Sequence, residues 1–321
     1  MKHFSSILLV PFAVLSLFLS ACSPKSIHAV LMPPMGMNWQ AVDSLNEGLP
    51  PEVRVFRGEN TSLPLRAWYV RIKESSPAIY SRVVMSDDAA DRRETASSFA
   101  KDLNACVVLN GGYFTMNKAP ADHVGLLMAD GKVLFDATGS IEKGGVKYEA
   151  SRAALGITAD DRVEIGWATT KEGKVYRWRK PLFNFLKMPT TNPNYAEAEV
   201  WNVRDAMGAG PMILVNNEIR RYWIEELFFG TSIPAVHPRS AMGLTREGDV
   251  ILMVVDGRQP ESRGVSLEEL AALMQSAGAV RALNLDGGGS SAMVVNGKRL
   301  NRPGGGNIER EVVSAFAVFC K

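Results

Sequence analysis

The pattern of apolar and polar positions predicts many short strands joined by tight turns. Trp68, Val70 and Ile72 alternate with polar residues, as in a half-buried strand. Apolar runs of similar length predict strands at Ile79–Met85, Ala105–Leu109, Ala153–Thr158, Val163–Trp167, Met212–Val215, Ala241–Thr245, Val250–Val255 and Val280–Leu285. Hairpins are predicted where an Asx-Gly pair separates two such runs, at Asp130-Gly131 and Asn296-Gly297.

Two helices are predicted, both from capping boxes. Asp91 and Glu94 precede one run with helical periodicity, and Ser266 and Glu269 precede another, which Gly278 ends. So few helices among so many strands do not fit the strand–helix alternation of a doubly wound fold. We therefore predict a single α+β domain built on a largely antiparallel or mixed sheet.

The order helix, strand, Asx-Gly-Gly and hairpin occurs twice along the chain. The two copies contain Asn110-Gly111-Gly112 and Asp286-Gly287-Gly288. This order predicts an internal two-fold echo, with both glycine-rich turns facing one cleft. The alternative is chance similarity among short strands.

The N-terminus has the form of a bacterial lipoprotein signal peptide over residues 1–21. Lys2 precedes the apolar stretch Ile7–Leu19, and Leu19-Ser20-Ala21-Cys22 resembles a lipidation box. Cys22 would carry the lipid, and Ser23 after it favours the periplasmic face of the outer membrane. A plain secretory signal is the alternative. Residues 22–61 are predicted to be a tether and irregular segment, and residues 62–321 the folded domain.

Composition limits the partners and cofactors. The net charge of +2, with no basic block, argues against nucleic acid. Four histidines without a zinc-like spacing argue against a zinc site. Cys106 and Cys320 are interpreted first as buried small apolar residues, and a disulfide between them is left open.

The candidate chemistry lies where predicted strands end. Asp286 follows a strand and is followed by three glycines and two serines, whose N–H and hydroxyl groups suit an anion or a sugar. A tight turn with an Asp cap is the alternative. Other strand ends carry Asn110-Gly111-Gly112-Tyr113-Phe114, Gly210-Pro211, His237-Pro238-Arg239-Ser240, Asp256-Gly257-Arg258 and Ser262-Arg263-Gly264.

In this order, these motifs resemble the phosphodiester glycosidase family, from about Leu65 to the end of the chain. The resemblance implies hydrolysis of the bond between a sugar anomeric carbon and a phosphodiester, which leaves a phosphomonoester. Such cleavage usually needs two carboxyl groups. Asp256 and Asp286 are the candidates, although a strand-end Asp before Gly is also a common turn former.

The remaining candidate residues would bind the substrate. Arg239 and Arg258 are the candidate phosphate clamps, although Arg258 could instead pair with a surface carboxylate. The amides of Gly111-Gly112 and of Gly287, Gly288 and Gly289 would form an anion nest. Asn110, Ser290 and Ser291 would hydrogen-bond sugar hydroxyls or phosphate. Gly210 and His237 are candidate positioning residues, and a general-base role for His237 is equally open.

No cofactor is expected, and a calcium or magnesium ion on Asp256 or Asp286 is left open. The expected partners are a sugar-phosphate or glycan substrate and a membrane reached through Cys22. Two functions compete with hydrolysis. One is a non-catalytic glycan- or peptidoglycan-binding lipoprotein, and the other is transfer to an acceptor other than water. The presence of two carboxylates favours an enzyme.

Overall fold

The computed structural model describes residues 30–74, 76–302 and 308–321. Within them, every strand pairing is antiparallel, and only three short α-helices occur. The predicted α+β domain, with a largely antiparallel sheet and few helices, is confirmed.

The elements follow in chain order. The first half contains β1 (Asn38–Ala41), α1 (Asp43–Asn46), β2 (Val53–Asn60), β3 (Leu65–Ile72), β4 (Ile79–Met85), α2 (Ala96–Asp102), β5 (Val107–Asn110), β6 (Leu127–Ala129), β7 (Lys132–Phe135), β8 (Ser140–Lys143), β9 (Val146–Glu149) and β10 (Arg152–Ile157). The second half contains β11 (Val163–Lys171), β12 (Lys174–Trp178), β13 (Ala198–Val200), β14 (Asp205–Gly208), β15 (Met212–Val215), β16 (Glu218–Ile219), β17 (Arg239–Thr245), β18 (Val250–Val255), α3 (Leu267–Ser276), β19 (Ala279–Asn284), β20 (Met293–Val295), β21 (Lys298–Arg299) and β22 (Ser314–Cys320). Two 3₁₀ turns span Tyr195–Glu197 and Gly288–Ser290.

The strands form three main sheets and one separate hairpin. The eight-stranded sheet has the order β1-β2-β3-β18-β17-β19-β15-β16, and the seven-stranded sheet has the order β13-β12-β11-β10-β14-β6-β7. The five-stranded sheet has the order β21-β20-β5-β22-β4, and β8 pairs with β9.

One apolar core joins the three sheets. Val70 of the eight-stranded sheet, Leu155 of the seven-stranded sheet and Phe316 of the five-stranded sheet all belong to it and are fully buried. The helices cover outer faces: α3 packs its Leu270 against the eight-stranded sheet, and α2 packs its Phe99 against the five-stranded sheet. Burial on both faces explains why most central strands are apolar throughout.

Several local predictions hold in the structure. The Ser266 side chain accepts from the N–H of Glu269, whose carboxylate accepts from Ser266 in return, so the predicted capping box opens α3. Gly278 follows this helix at φ +100°. The turns at Asp130-Gly131 and Asn296-Gly297 have positive φ at both positions and join β6 to β7 and β20 to β21.

The predicted capping box at the first helix is wrong. Thr95 caps α2, because its hydroxyl accepts from the N–H of Ser98. Asp91 instead accepts from the N–H of Arg93, and Glu94 forms a bridge with Val312. The sequence offers two N-cap residue types within five positions, Asp91 and Thr95, and the bridge between Glu94 and Val312 keeps the chain extended up to Thr95.

The prediction of an irregular segment up to residue 61 is wrong for residues 38–60. Strands β1 and β2 lie at one edge of the eight-stranded sheet, and β2 pairs with β3 over eight residues. Val53 and Val55 alternate with more exposed neighbours and are fully buried. The preceding run of Pro, Met and Gly residues obscured this period in the sequence.

Cys106 and Cys320 form a disulfide that links the start of β5 to the end of β22. The sequence left this pairing open. The predicted signal peptide, with Lys2, Ile7–Leu19 and Cys22, lies outside the described residues. Among the residues that are described, no helix has the length and apolar character needed to cross a membrane.

Candidate active site

Four of the sequence motifs meet at one edge of the eight-stranded sheet. Strands β18 and β19 end there, followed by Asp256 and Asp286, whereas β17 begins there at Arg239 and β15 begins just after Gly210. Antiparallel order places the ends of β18 and β19 beside the starts of β17 and β15. Residues far apart in sequence are thus neighbours.

The two glycine-rich turns are in direct contact. The N–H of Asp286 donates to the carbonyl oxygen of Gly111 at 3.1 Å. One turn ends a strand of the five-stranded sheet and the other ends a strand of the eight-stranded sheet, each preceded by a helix. The turns therefore join two sheets at the site, as the repeated motif order suggested.

Asn110 holds these turns together. Its Nδ2 donates to the carbonyl oxygens of Asp286 and Gly111, and its Oδ1 accepts from Ser240 Oγ and from the N–H of Ala292. The side chain is fully buried. All four of its hydrogen-bonding positions are used within the protein. This differs from the expected direct contact with substrate, because no hydrogen-bonding position of Asn110 is left for one.

The amides of Gly111 and Gly112 do not form the expected anion nest. Both donate to Ser314, to its carbonyl oxygen and its hydroxyl respectively. A Cβ on Gly111 would collide with Ser314, and one on Gly112 would lie 2.6 Å from Nε2 of His123. These glycines are required by close packing of backbone against β22 and His123.

The second glycine turn borders two guanidinium groups. The N–H of Gly287 donates to Asp286 Oδ1 and that of Gly288 donates to Pro238, so two of the three expected nest amides have partners in the protein. A Cβ on Gly288 would lie 3.2 Å from Arg258, and one on Gly289 would lie 2.5 Å from Arg310. The lack of side chains lets both cations lie against the turn.

Asp286 is a half-buried carboxyl group with a perturbed pKa. Burial raises its pKa to about 6, while the Ser290 hydroxyl, the Gly287 N–H and the charge of Arg310 act in the opposite direction. Ser291, the next hydroxyl, is fully buried, and its Oγ has no hydrogen-bond partner among the described residues. Of the two serines, Ser290 therefore hydrogen-bonds the Asp286 carboxylate.

Asp256 is fully buried at the same sheet edge. Its Oδ1 accepts from the N–H of Arg302 at 2.7 Å, and its Oδ2 has no hydrogen-bond partner among the described residues. Burial raises the pKa of Asp256 to about 6. The N–H of Arg302 and the side chain of Asn301 act against this rise, and a buried carboxyl group with a pKa near 6 is suited to hold or release a proton near neutral pH.

Arg239 is engaged mainly with the protein. Its Nε donates to the carbonyl of Val265, and its Nη2 donates to those of Ile233 and Ala235. Only 2% of the residue is exposed, and burial lowers its pKa to about 10. Arg239, the expected phosphate ligand, is therefore used mainly to hold the loop before β17. Its Nη1 makes only a long 3.5 Å contact with Oδ1 of Asn284.

His237 is fixed between two partners. Nη2 of Arg258 donates to its Nδ1 at 3.1 Å, so Nε2 carries the proton and donates to the carbonyl of Ser232 at 2.9 Å. Burial lowers its pKa, and the nearby Arg239 and Arg258 charges lower it further. This geometry fits the positioning interpretation of His237 and leaves no free nitrogen for a general base. Arg258 itself is exposed.

Three polar side chains that the sequence did not assign to the site lie within it, namely those of Tyr113, Asn284 and Arg310. The Tyr113 hydroxyl donates to the carbonyl of Gly210 at 2.8 Å and accepts from Asn284 Nδ2 at 2.9 Å. Burial raises the pKa of Tyr113, as does the charge of Asp286. Arg310, which lies between Glu309 and Glu311 in the sequence, is the third of these groups.

The buried carboxylate of Glu226 accepts hydrogen bonds from residues that surround the turn at Gly210. Glu226 Oε1 accepts from the N–H of Met212 and from Trp167 Nε1, and its Oε2 accepts from the N–H of Ala153. A Cβ on Gly210 would lie 2.5 Å from that Oε2. Burial raises the pKa of Glu226 to about 7. Gly210 is thus a close-packing position.

The arrangement combines two carboxyl groups, the exposed guanidinium group of Arg258, the half-buried one of Arg310 and a fixed backbone. It can polarise water or a sugar carbon and neutralise a phosphate. Among residues 30–74, 76–302 and 308–321, no cluster of three or more His, Cys, Asp or Glu side chains is placed to hold a metal ion.

Comparison with known proteins identifies similar chains. A family model described as phosphodiester glycosidase matches residues 103–319. N-acetylglucosamine-1-phosphodiester alpha-N-acetylglucosaminidase is 28% identical in both Bos taurus and Homo sapiens, over 219 residues. The uncharacterized SPbeta prophage-derived protein YomE of Bacillus subtilis is 40% identical over 228 residues, which are 70% of this chain and 30% of that protein. The bovine and human matches cover 67% of this chain and 36% of each relative, so the chain spans about a third of those proteins.

Solved structures show the same fold. The zebrafish N-acetylglucosamine-1-phosphodiester alpha-N-acetylglucosaminidase catalytic domain, auto-inhibited by its pro-peptide, aligns with a TM-score of 0.60 and 20% identity over 89% of this chain and 88% of that one. A hypothetical protein from Synechocystis aligns with a TM-score of 0.60 and 18% identity over 90% of this chain and 64% of that one.

Proposed function

The chain belongs to the phosphodiester glycosidase family, and on that premise we propose that it hydrolyses the bond between a sugar anomeric carbon and a phosphodiester. Water adds to the anomeric carbon, the bond from that carbon to the phosphate oxygen breaks, and the products are a free sugar and a phosphomonoester. The substrate class we propose is a sugar-1-phosphodiester of an envelope or extracellular glycan.

The observation that carries this proposal is the environment of Asp286. Its carboxyl group has a pKa of about 6, accepts hydrogen bonds from the Ser290 hydroxyl and the Gly287 N–H, and lies near Arg310. Glycosidic cleavage passes through an oxocarbenium-like state that a nearby carboxylate stabilises. We assign Asp286 to the reacting sugar carbon, as nucleophile, base or electrostatic partner.

Asp256 is the proposed second carboxyl group. It lies two strands from Asp286 along the same sheet edge, and its Oδ2 is buried without a protein partner among the described residues. A phosphate leaving group is a weak base, so departure needs little protonation. Asp256 would accordingly orient the sugar or the attacking water.

Arg258 and Arg310 are the proposed phosphate ligands. Both guanidinium groups border the glycine turn, and neither is braced by several backbone carbonyls as Arg239 is. A guanidinium binds phosphate oxygens in a bidentate manner. Arg239, Asn110, His237 and Tyr113 would then position the loops that carry these groups.

The test uses the purified protein with methyl-phospho-N-acetylglucosamine and a panel of UDP-sugars, followed by NMR. We expect the wild type to release free sugar, with methyl phosphate from the first substrate or UDP from a UDP-sugar, and Asp286→Asn to lose turnover while retaining binding. The first anomer formed reports whether the reaction retains or inverts configuration. Added acceptor sugar tests for transfer, which would appear as a new glycoside.

A non-catalytic glycan-binding role is the second candidate. Two carboxyl groups with pKa values raised to about 6 by burial are less favourable in a module that only binds neutral sugars. Saturable glycan binding, without release of sugar from any panel member, would favour that role. Asp286→Asn would then change only affinity.

We also propose that the protein is anchored in a bacterial envelope through lipid on Cys22, on the periplasmic face of the outer membrane. The support is the sequence of the first 23 residues. Metabolic labelling with a radioactive fatty acid should mark the wild type and not Cys22→Ser. Equal labelling of both proteins would contradict the anchor.

A further inference from the structure

A cluster of exposed apolar side chains lies on the turn of residues 183–188, which we call the apolar tip. Among the described residues, eleven large apolar side chains are exposed, and four of them fall within these six positions. Phe183 is 63% exposed, Leu186 61%, Met188 56% and Phe185 39%. The other exposed apolar residues are scattered along the chain, which is normal, whereas a cluster marks an interaction surface.

The apolar tip is held in a defined conformation. Phe185 and Met188 exchange two backbone hydrogen bonds, and the N–H of Lys187 donates to the Tyr148 hydroxyl at 3.0 Å. Asn184, fully buried between them and the domain, donates to the carbonyls of Glu149 and Glu225. These hydrogen bonds fix the turn in a conformation that leaves its four apolar side chains exposed to solvent.

The charge around the tip is positive. Residues 179–188 contain Arg179, Lys180 and Lys187, all exposed, and no acidic residue. The nearest elements contribute little negative charge: the carboxylate of Glu149 pairs with Lys147 at 3.6 Å, and Glu225 is 4% exposed. Apolar side chains with a basic border match the surface of a bilayer that contains anionic lipids.

The tip is linked directly to the site. Asn184 bonds to the carbonyl of Glu225, and the next residue, Glu226, supports the turn at Gly210. A surface that holds the tip would therefore also fix the orientation of the domain that carries the candidate active site.

We propose that the apolar tip inserts into the surface of an anionic bilayer, with Phe183, Phe185, Leu186 and Met188 among the acyl chains and the three basic residues at the headgroups. This contact is independent of the proposed hydrolysis and of lipid on Cys22. A protein partner and a second copy of this chain are the other occupants to be tested.

The test measures the depth of a spin label. The full chain carries Cys22→Ser, to remove the free thiol, and a nitroxide at Leu186→Cys. The matched control carries the label at Leu134→Cys, another exposed apolar position, on β7. Both proteins are mixed with vesicles of phosphatidylethanolamine and phosphatidylglycerol at three to one. Because the N-terminal apolar stretch is present in both, only the local depth distinguishes them.

We expect the label at residue 186 to be exposed to oxygen and shielded from a water-soluble paramagnetic collider, and the label at residue 134 to remain in water. Equal water exposure of both labels would overturn the proposal. Immobilisation of the label at residue 186 without vesicles would show that a second copy covers the tip and would also overturn it.

The charge contribution is tested with Arg179→Gln, Lys180→Gln and Lys187→Gln together. Each basic residue near an anionic surface strengthens partition by about fivefold. The triple variant should therefore lower the partition constant of the labelled tip by roughly a hundredfold. Thermal unfolding, expected to be unchanged, shows that the variant is folded. Equal partition constants of the labelled tip for wild type and triple variant, or for the anionic vesicles and pure phosphatidylcholine, would overturn the assignment of an anionic surface.

Discussion

Nδ2 of Asn110 donates to the carbonyl oxygen of Asp286 at 2.8 Å, across 176 residues of sequence. The bond joins a strand end of the five-stranded sheet to one of the eight-stranded sheet. The position of the candidate catalytic carboxyl group therefore depends on packing between two sheets. Neither turn alone would fix it.

Replacing Asn110 with Ala should lower both stability and activity. The change leaves the Ser240 hydroxyl, the Ala292 N–H and the Asp286 carbonyl without their partner, which should reduce the free energy of unfolding by about 2–4 kcal/mol. Urea unfolding and turnover measure the two effects. Asn46→Ala is the matched control, because it removes another Asn that donates to and accepts from the backbone, at Val55, and that has none of the site residues among its hydrogen-bond partners. It should lose stability while keeping most turnover, and equal loss of turnover in both variants would contradict the positioning place of Asn110.

Asp256→Asn should stabilise the protein at neutral and alkaline pH. The folded-state pKa of about 6 lies above the unfolded value near 3.9, so the folded protein binds this proton more tightly. The charged form therefore destabilises the fold above pH 6, and this penalty disappears below about pH 4. The variant should gain about 1–3 kcal/mol at pH 8 and nothing at pH 3.5.

Urea unfolding of both proteins across this pH range tests the prediction. Asp160→Asn is the control with the opposite sign, because hydrogen bonds from Thr158 and Arg162 lower the pKa of that exposed carboxyl group. A gain at pH 8 that is also present at pH 3.5 would show that ionisation is not the cause.

Arg310→Gln should move the acidic limb of the activity profile to higher pH. Asp286 is expected to act as a carboxylate, so kcat/KM should rise with pH through about 6. The charge of Arg310 lowers the pKa of Asp286, and its removal lets that pKa rise. The lost phosphate contact should also reduce kcat/KM roughly a hundredfold.

Arg71→Gln supplies the control for Arg310. Arg71 is exposed and pairs with Asp249 at the opposite end of β18. Its replacement should leave the activity profile in place. A profile unchanged in Arg310→Gln would remove Arg310 from the site.

Reduction of the disulfide should destabilise the protein. Cys106 and Cys320 enclose a loop with a sequence separation of 214 residues, and closing so long a loop restricts the unfolded chain. The double variant Cys106→Ala/Cys320→Ala should lose about 2–5 kcal/mol of unfolding free energy. Equal midpoints of urea unfolding with and without reductant, for the wild type, would show that the bond contributes little.

Much of the fold could be predicted because its signals are local. The Asx-Gly turns at residues 130 and 296 and the capping box at Ser266 each depend on a few adjacent residues. Asp256, Asp286 and Arg239 could be singled out because each lies next to or at a terminus of an apolar strand, but their positions at one sheet edge depend on the strand order.

The predictions that were wrong concern contacts between residues that are far apart in the sequence. Whether a glycine amide is free depends on what packs against it, and Ser314 occupies the amides of Gly111 and Gly112. The donors of Arg239 are used by carbonyls of a loop with no recognisable pattern. Arg310 lies between two glutamates, and only the fold brings it to Gly289.

The pairing of β22 with β5 determines when the site can exist during synthesis. Strand β22 supplies Ser314, which holds both amides of the first glycine turn, and it pairs with β5 up to Asn110. A growing chain that has not yet added residues 314–320 cannot shape the turn that carries Asn110. The protein should therefore stay inactive while it is being translated, and gain activity only once this late strand has entered the sheet.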